Sequence, residues 1–481
     1  MNYWDLLRLA APETILVVTA LIVLALGLAS DRAATLCSGV AAAGLLFASS
    51  AVLMLPPEAS LFNGMLVITP LISLFKVICL ALAFFTVILS RKLDSPHHGE
   101  YLALLLLATV GLMLLVGSEE LLVIFIGLEL TGLSLYVMAA FDKTSRQSAE
   151  AGLKYFLFGS TASAFTLFGI SLIYGMTGAT SLAAIAPKLG AVTPLLAAGI
   201  VMTLIGFAFK VAAAPFHLWA PDTYQGAPAS SAAFIASASK VASFFVLGKI
   251  ILVGFGPAQG SAAWHAMVAG WSPLLAVLSA LSILVGNFAA LAQTNVRRLL
   301  AYSAVAHAGY TLLGLVVGGR EGFSATLFYT TTYAFTLVGA FGVVGLVRRE
   351  TGGDDFSHFA GLRQRSPWLA GCMAVFMLSL AGIPPLAGFF GKFYLFSAAL
   401  HGAPSYGLLW LVALALLGSL ISFYYYLLVL KVIFVDKTAS DGPALQVDFL
   451  QRASIAVLAL ILLLLGLFPG GLVWQITSSL P

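Results

Sequence analysis

Run after run of about twenty apolar residues, joined by short loops, leaves this chain only one solvent to fold in. Each run is long enough to cross the hydrocarbon as a helix, and there are about fourteen. The expected spans are 12–30, 33–55, 65–89, 99–117, 119–140, 149–175, 194–220, 229–254, 273–292, 299–318, 322–347, 367–400, 405–434 and 452–475. No loop is long enough to hide a soluble domain. Composition agrees, with 61% of 481 residues hydrophobic, 9% charged and a mean hydropathy of +1.04. A soluble domain carries about 25% charged residues. The expected fold is all-α: one polytopic membrane helix bundle over 1–481.

The small net charge of +4 is spread over loops, without the basic patch that nucleic acid would need. Cys37, Cys79 and Cys372 lie in apolar runs without metal-ligand spacing and read as packing residues. No cleavable leader is expected, because the N-terminus lacks a basic stretch before a short apolar core. Pro12 and Glu13 instead open the first span, where an acid suits the helix dipole.

Loop charges orient the bundle. One side holds Arg32, Arg91 and Lys92, Lys143 and Arg146, Arg297 and Arg298, Arg348 and Arg349, Arg363 and Arg365, Lys437 and Arg452. The other holds only Arg8, Lys188 and Arg320. The richer side reads as cytoplasmic. Both termini are then expected on the outer, periplasmic side of a bacterial inner membrane.

Seven lysines remain inside the spans: Lys76, Lys154, Lys210, Lys240, Lys249, Lys392 and Lys431. Against them, away from the span ends, stands one carboxylate, Glu129. A charge at the bilayer centre costs about 2.5–3.5 kcal/mol on insertion scales, so such residues persist where something needs them. Lys431 and Lys249 lie near helix ends and can snorkel to the interface. Lys76 reads as mid-span, where a structural pair and a transport role are both open. Glu129 sits ten residues from either end of its span, about 15 Å deep. A fixed ion pair would be the plain explanation; proton transfer is the functional one. Lys154 lies just inside the cytoplasmic boundary, either snorkelling or pairing across to Glu129.

Two spans carry helix breakers beside a lysine. Lys210 precedes Pro215, Phe216, His217 and Trp219; Gly382, Pro384, Pro385 and Gly388 precede Lys392. Proline removes a backbone hydrogen bond, and the freed carbonyl must be satisfied by protein or water. One interrupted segment in each half is the sequence pointer to paired sites in a repeat-built transporter. Lys240 lies among Ser230, Ser231, Ser237, Ser239 and Ser243, which either line water or pack closely against neighbours. His307 shares one helix face with Ser303, Tyr310 and Thr311. A lone buried histidine is commonly a satisfied core residue, but this polar stripe favours a relay. His217 is expected to be more exposed. The order implied runs from the cytoplasm through Glu129, Lys154 and Lys210 to Lys240, His307 and Lys392. A lysine in such a wire has to accept and release a proton.

Gly127-Leu128-Glu129-Leu130, Ala214-Pro215-Phe216-His217-Leu218-Trp219-Ala220-Pro221-Asp222 and Ala381-Gly382-Ile383-Pro384-Pro385-Leu386-Ala387-Gly388-Phe389-Phe390-Gly391-Lys392 resemble the antiporter-like membrane subunits of respiratory complex I. The resemblance covers nearly the whole chain, and within that group it is nearest the subunit N family. It implies two inverted five-helix repeats, over 99–254 and 273–434, with helices 7 and 12 discontinuous. It also implies that Glu129, Lys210, Lys240 and Lys392 occupy the family's ionisable positions. The Pro-Phe-His run is shared with multisubunit cation/proton antiporters and membrane-bound hydrogenases, which stay open as alternatives, as does a passive scaffold. No iron–sulfur or nucleotide motif is present. NADH, FMN, iron–sulfur clusters and quinone are therefore expected in partner subunits, with none of these cofactors in this chain. The expected partners are the other membrane subunits of complex I, neighbouring antiporter-like subunits above all, and the lipid bilayer.

Overall fold

The computed structural model describes residues 3–29, 34–93, 95–190, 193–402, 406–436 and 447–480. Arg32 and Lys437, used in the charge reading, lie outside them. Among the described residues twelve helices are long and apolar enough to cross a membrane. Two of the expected spans depart from that form. The segment 194–220 is helical only over Pro194–Lys210, and 367–400 is two helices, Pro367–Ala381 and Ala387–His401.

The chain divides into two compact units. The first comprises Met1–Lys210 and Gly226–Gln259. Its main helices are α1 (Ala11–Ala29), α2 (Ala34–Leu53), α3 (Pro70–Ser90), α4 (His98–Gly117), α5 (Leu121–Ala139), α6 (Arg146–Thr177), α7 (Pro194–Lys210), α8 (Ala229–Ala236) and α9 (Ala238–Lys249). Side-chain caps start several of them: Thr69 accepts from the Ile72 amide, Glu120 from Val123 and Ser145 from Ser148. Such caps satisfy amides that a helix start leaves orphaned. Between α2 and α3 lies a small antiparallel hairpin, β1 (Ala59–Leu61) with β2 (Leu66–Ile68), Ala59 facing Ile68. Asn63 and Gly64 turn it at positive φ. Ile68 and Leu61 of the hairpin pack with Leu9 near the N-terminus. The hairpin uses residues the sequence reading gave to a span, so Lys76 stands only six residues after Pro70 rather than mid-span.

The second unit comprises Val211–Gln225 and Gly260–Leu480. It holds α10 (Trp271–Leu291), α11 (Val296–Val317), α12 (Gly319–Thr351), α13 (Pro367–Ala381), α14 (Ala387–His401), α15 (Leu409–Phe434) and α16 (Phe449–Leu467). Asn295 caps α11 by accepting from two amides, and Gly352 closes α12 in the left-handed conformation. Over its apolar window α12 is 94% buried, against 33% for α6 in the first unit. A helix apolar all round belongs in the interior. α12 is therefore the post of its unit, with α11, α13, α14 and α16 packed on it. The exposed Leu153, Phe156, Leu157 and Phe168 of α6 form an outer face.

Candidate functional site

In the first unit, α5, α6 and α7 pack in series. Gly206 lets α7 approach α6 closely: a Cβ there would overlap the Thr166 hydroxyl. The helices bring Glu129, Ser163, Thr166, Tyr136 and Lys210 around one small cavity of about 20 Å³. That is room for about one water. The Ser163 hydroxyl donates to the Glu129 carboxylate. Lys210, 5% exposed, is the last residue of α7, where the unpaired carbonyls of a helix end favour a cation. Glu129 and Lys210 thus share a cavity without forming a direct ion pair among the described residues. Lys154 does not reach across; it pairs with Glu150 on its own helix at 2.6 Å, with 37% of its side chain exposed.

Lys240 is 2% exposed and lies three residues after an interruption that the sequence did not announce. Ser237 separates α8 from α9 with φ −116 and ψ −86. The serines around Lys240 mostly pack. Ser237 and Ser243 donate to carbonyls one turn back, Ser231 donates to the Met138 carbonyl, and the Tyr101 hydroxyl bonds Ser230 at 2.7 Å.

In the second unit the segment after Val211 stays non-helical until Ala220. The Ala214 amide, freed by the break, donates to the Ser282 hydroxyl at 2.8 Å. His217 is buried at 7% exposure, against the expectation that it would be the more open histidine. Its Nδ1 has no partner among the described residues, and Tyr302 stands edge-on to its ring. The reason is that the break folds into the unit instead of hanging in a loop.

Lys392 is held by the second break. Its Nζ donates to the carbonyl of Ala381, the last residue of α13, at 3.1 Å and to the Ser419 hydroxyl at 2.9 Å. It also stands 5.4 Å from the Tyr310 ring centroid. The ammonium therefore caps the negative end of one half-helix while belonging to the other. Gly382 turns the chain at φ +84, and a Cβ there would press on the Lys392 side chain. None of these three partners of Lys392 is a carboxylate.

His307 is gripped from both sides. Its Nδ1 bonds the Tyr329 hydroxyl at 2.7 Å and its Nε2 the Tyr426 hydroxyl at 3.0 Å. Tyr426 in turn bonds Ser303, and the Tyr333 ring stacks on the imidazole at 4.8 Å. A histidine bonded at both nitrogens can take a proton at one and release it at the other. Asn287 extends the polar network by donating to the Tyr310 hydroxyl and accepting from Tyr425. The sequence marked Ser303 and Tyr310 but not Tyr329, Tyr333, Tyr426, Asn287, Ser163 or Ser419. These come from other helices, and no periodicity links them to their partners.

Three lysines singled out earlier lie apart. Lys431 is 59% exposed at its helix end and pairs with Asp436 at 3.7 Å. Lys76 is buried against Glu13 at 2.6 Å. Lys249 does not snorkel; it is buried, paired with Glu119 at 3.0 Å. The three cysteines are buried and free, and no metal-holding group of His, Cys, Asp and Glu occurs among the described residues.

A family model described as NADH:quinone oxidoreductase/Mrp antiporter, TM matches residues 118–422. The chain is 48% identical to NADH-quinone oxidoreductase subunit N 2 of Acidobacterium capsulatum, over 98% of both chains. A chain of respiratory complex I from Thermus thermophilus superposes with a TM-score of 0.81 at 33% identity, covering 97% of this chain and all of that one. A chain of the Mrp complex from Dietzia shares the fold, with a TM-score of 0.86 at 20% identity. The chain belongs to the NADH:quinone oxidoreductase/Mrp antiporter membrane family, in its subunit N branch.

Proposed function

We propose that this chain works as the proton-translocating N subunit of a bacterial NADH:quinone oxidoreductase, moving protons through Glu129, Lys154, Lys210, His217, Lys240, His307 and Lys392. The observation that carries the reading is a buried lysine at each of the three interruptions of a spanning segment found among the described residues. Lys210 ends α7, Lys240 follows the Ser237 break, and Lys392 caps the end of α13. A broken helix offers free carbonyls and hydroxyls that hold an ammonium without a permanent counter-ion, so the proton can leave.

In the first unit Glu129 and Lys210 exchange a proton across their shared cavity, with Ser163 fixing the carboxylate. Lys154, exposed beside Glu150, serves uptake from the aqueous side. In the second unit the imidazole of His307 passes a proton between Tyr329 and Tyr426, and Lys392 is the terminal carrier. His217, with one ring nitrogen free among the described residues, joins that unit's relay.

Moving one proton against 100 mV costs about 2.3 kcal/mol, and the sequence has no iron–sulfur or nucleotide motif through which this chain would supply it. Energy comes from quinone reduction in partner subunits, which hold NADH, FMN, the iron–sulfur clusters and the quinone. This subunit is thus the non-redox part of an oxidoreductase. The neighbouring membrane subunits of the complex are its partners, and the exposed apolar face of α6 is the kind of surface they or lipid would cover. We assign fourteen crossings, counting the two interrupted segments, arranged as inverted repeats over 99–254 and 273–434 with both termini on the outer side. The test is Glu129→Gln in the assembled complex, measuring proton pumping and quinone reduction together. The reading expects pumping to fall with normal assembly; full pumping per quinone reduced overturns it.

A further inference from the structure

A second set of buried charges in the first unit takes no part in the site above. Glu13 of α1 and Lys76 of α3 pair at 2.6 Å. Lys249, the last residue of α9, pairs with Glu119 at 3.0 Å and donates to the Ser118 carbonyl at 3.2 Å. The two pairs are neighbours: Lys249 bonds the carbonyl of Ser118, and the preceding residue, Gly117, packs against the Lys76 ammonium. Gly117 keeps the space open: a Cβ there would lie 3.1 Å from the Lys76 ammonium. All four residues gather at the hairpin end of the unit, where the Glu119 amide donates to the Gly64 carbonyl at 2.8 Å.

Three features separate this array from two fixed salt bridges. The second carboxylate oxygen of Glu13 is buried with no hydrogen-bond partner among the described residues. Leaving a buried polar atom unsatisfied carries the full desolvation penalty of that atom, which a purely structural pair has no reason to bear. The backbone widens to a π-helical turn over Ile250–Gly254, immediately after Lys249; such turns are frequent at functional sites. Exposure is also graded. The Lys76 side chain is 1% exposed, Lys249 8%, Glu13 10% and Glu119 29%. Exposure therefore rises outward from Lys76, through Lys249 to Glu119 and less steeply to Glu13.

We propose that Glu13, Lys76, Lys249 and Glu119 form a proton-exchanging array that connects the first unit with the aqueous phase at its hairpin end. Each pair has two forms of equal net charge: ammonium with carboxylate, or amine with carboxylic acid. Transfer of the proton from Lys249 Nζ to Glu119 breaks one N–H bond and makes one O–H bond. Glu119 then releases that proton to water, and Lys249 is recharged from the Lys76 side. Lys76 exchanges likewise with the free oxygen of Glu13. The low dielectric that penalises separated charges favours the neutral pair, which makes the exchange accessible.

This inference rests on the proton-translocating reading, and its test separates the two. Glu119→Gln and Lys249→Arg are made in the assembled complex, with Lys392→Ala beside them, and protons moved per quinone reduced are measured in sealed vesicles. Arginine keeps the charge and the ion pair but does not release its proton. The array expects both variants to assemble and both to lose pumping per quinone. Normal pumping in Glu119→Gln, or in an assembled Lys249→Arg, overturns it, because a fixed salt bridge tolerates arginine. If Lys249→Arg does not assemble, Glu119→Gln decides alone. Reduced pumping in Lys392→Ala with normal pumping in the other two removes only the array; normal pumping in all three removes the broader reading as well.

Discussion

The two units solve the same problem, a lysine kept in a membrane interior, with opposite means. In the first unit Lys210 ends its half-helix and shares a one-water cavity with a carboxylate, Glu129, which Ser163 holds. In the second, Lys392 lies beyond the break and reaches back to cap the other half-helix through Ala381, with Ser419 and the Tyr310 face completing its shell. One lysine has an acid to exchange with; the other has only dipoles. A charge balanced by an acid can be neutralised within the pair. A charge balanced by dipoles keeps partial stabilisation in either state, since hydroxyls and carbonyls tolerate an amine as well. The first arrangement suits exchange between two groups, and the second suits a terminal carrier.

The contrast is broken most severely at Lys210. Lys210→Met leaves Glu129 without its cation and is expected to abolish coupled proton transfer, read as protons per quinone in assembled complex. Next comes Gly382→Ala. Left-handed geometry costs a residue with a Cβ about 1–2 kcal/mol, and the new methyl presses on the Lys392 side chain. Pumping should fall sharply while the cavity of the first unit keeps its function; the claim fails if Glu129→Gln causes no further loss of pumping in the Gly382→Ala complex. Tyr426→Phe removes the hydroxyl between Ser303 and His307 but keeps the ring. It should slow pumping without lowering assembly; unchanged pumping would remove His307 from the relay. The smallest effect is expected from Ser163→Ala. A hydrogen bond to a charged group is worth about 1.5–3 kcal/mol, and the vacated space admits water that replaces part of it. A modest loss of pumping, smaller than in Glu129→Gln, sharpens the role of Ser163 as a positioning residue.

Legibility in the sequence followed the same divide. The breaks at Lys210 and Lys392 were readable because proline and glycine leave a mark at the position where the helix fails. The break at Ser237 was not, since serine is unremarkable inside an apolar run. The candidate lysines, Glu129 and His307 stood out because charge is rare at that depth. Their partners did not: Ser163 lies 34 residues from Glu129, and Tyr426 lies 119 from His307. Hydroxyls are cheap to place in a membrane helix, so they carry no signal until the helices are packed. Glu13 shows the converse failure. In sequence it looked like a dipole-matching acid at a helix start; in the fold it neutralises Lys76, 63 residues away. The hairpin between α2 and α3 was too short to register against the apolar runs around it.

The central claim is that a lysine beside a broken helix must lose its proton. Lys392 tests it most directly, because its bonded partners are uncharged and substitution there leaves no buried carboxylate stranded. Lys392→Arg keeps the positive charge but does not deprotonate at working pH, whereas Lys392→Ala removes the charge. Both are placed in the assembled complex, and protons moved per quinone reduced are measured beside the amount of assembled enzyme. The account predicts that both variants assemble and that both pump poorly. Wild-type pumping in the arginine variant, with loss only in alanine, would contradict it and leave Lys392 a fixed positive charge.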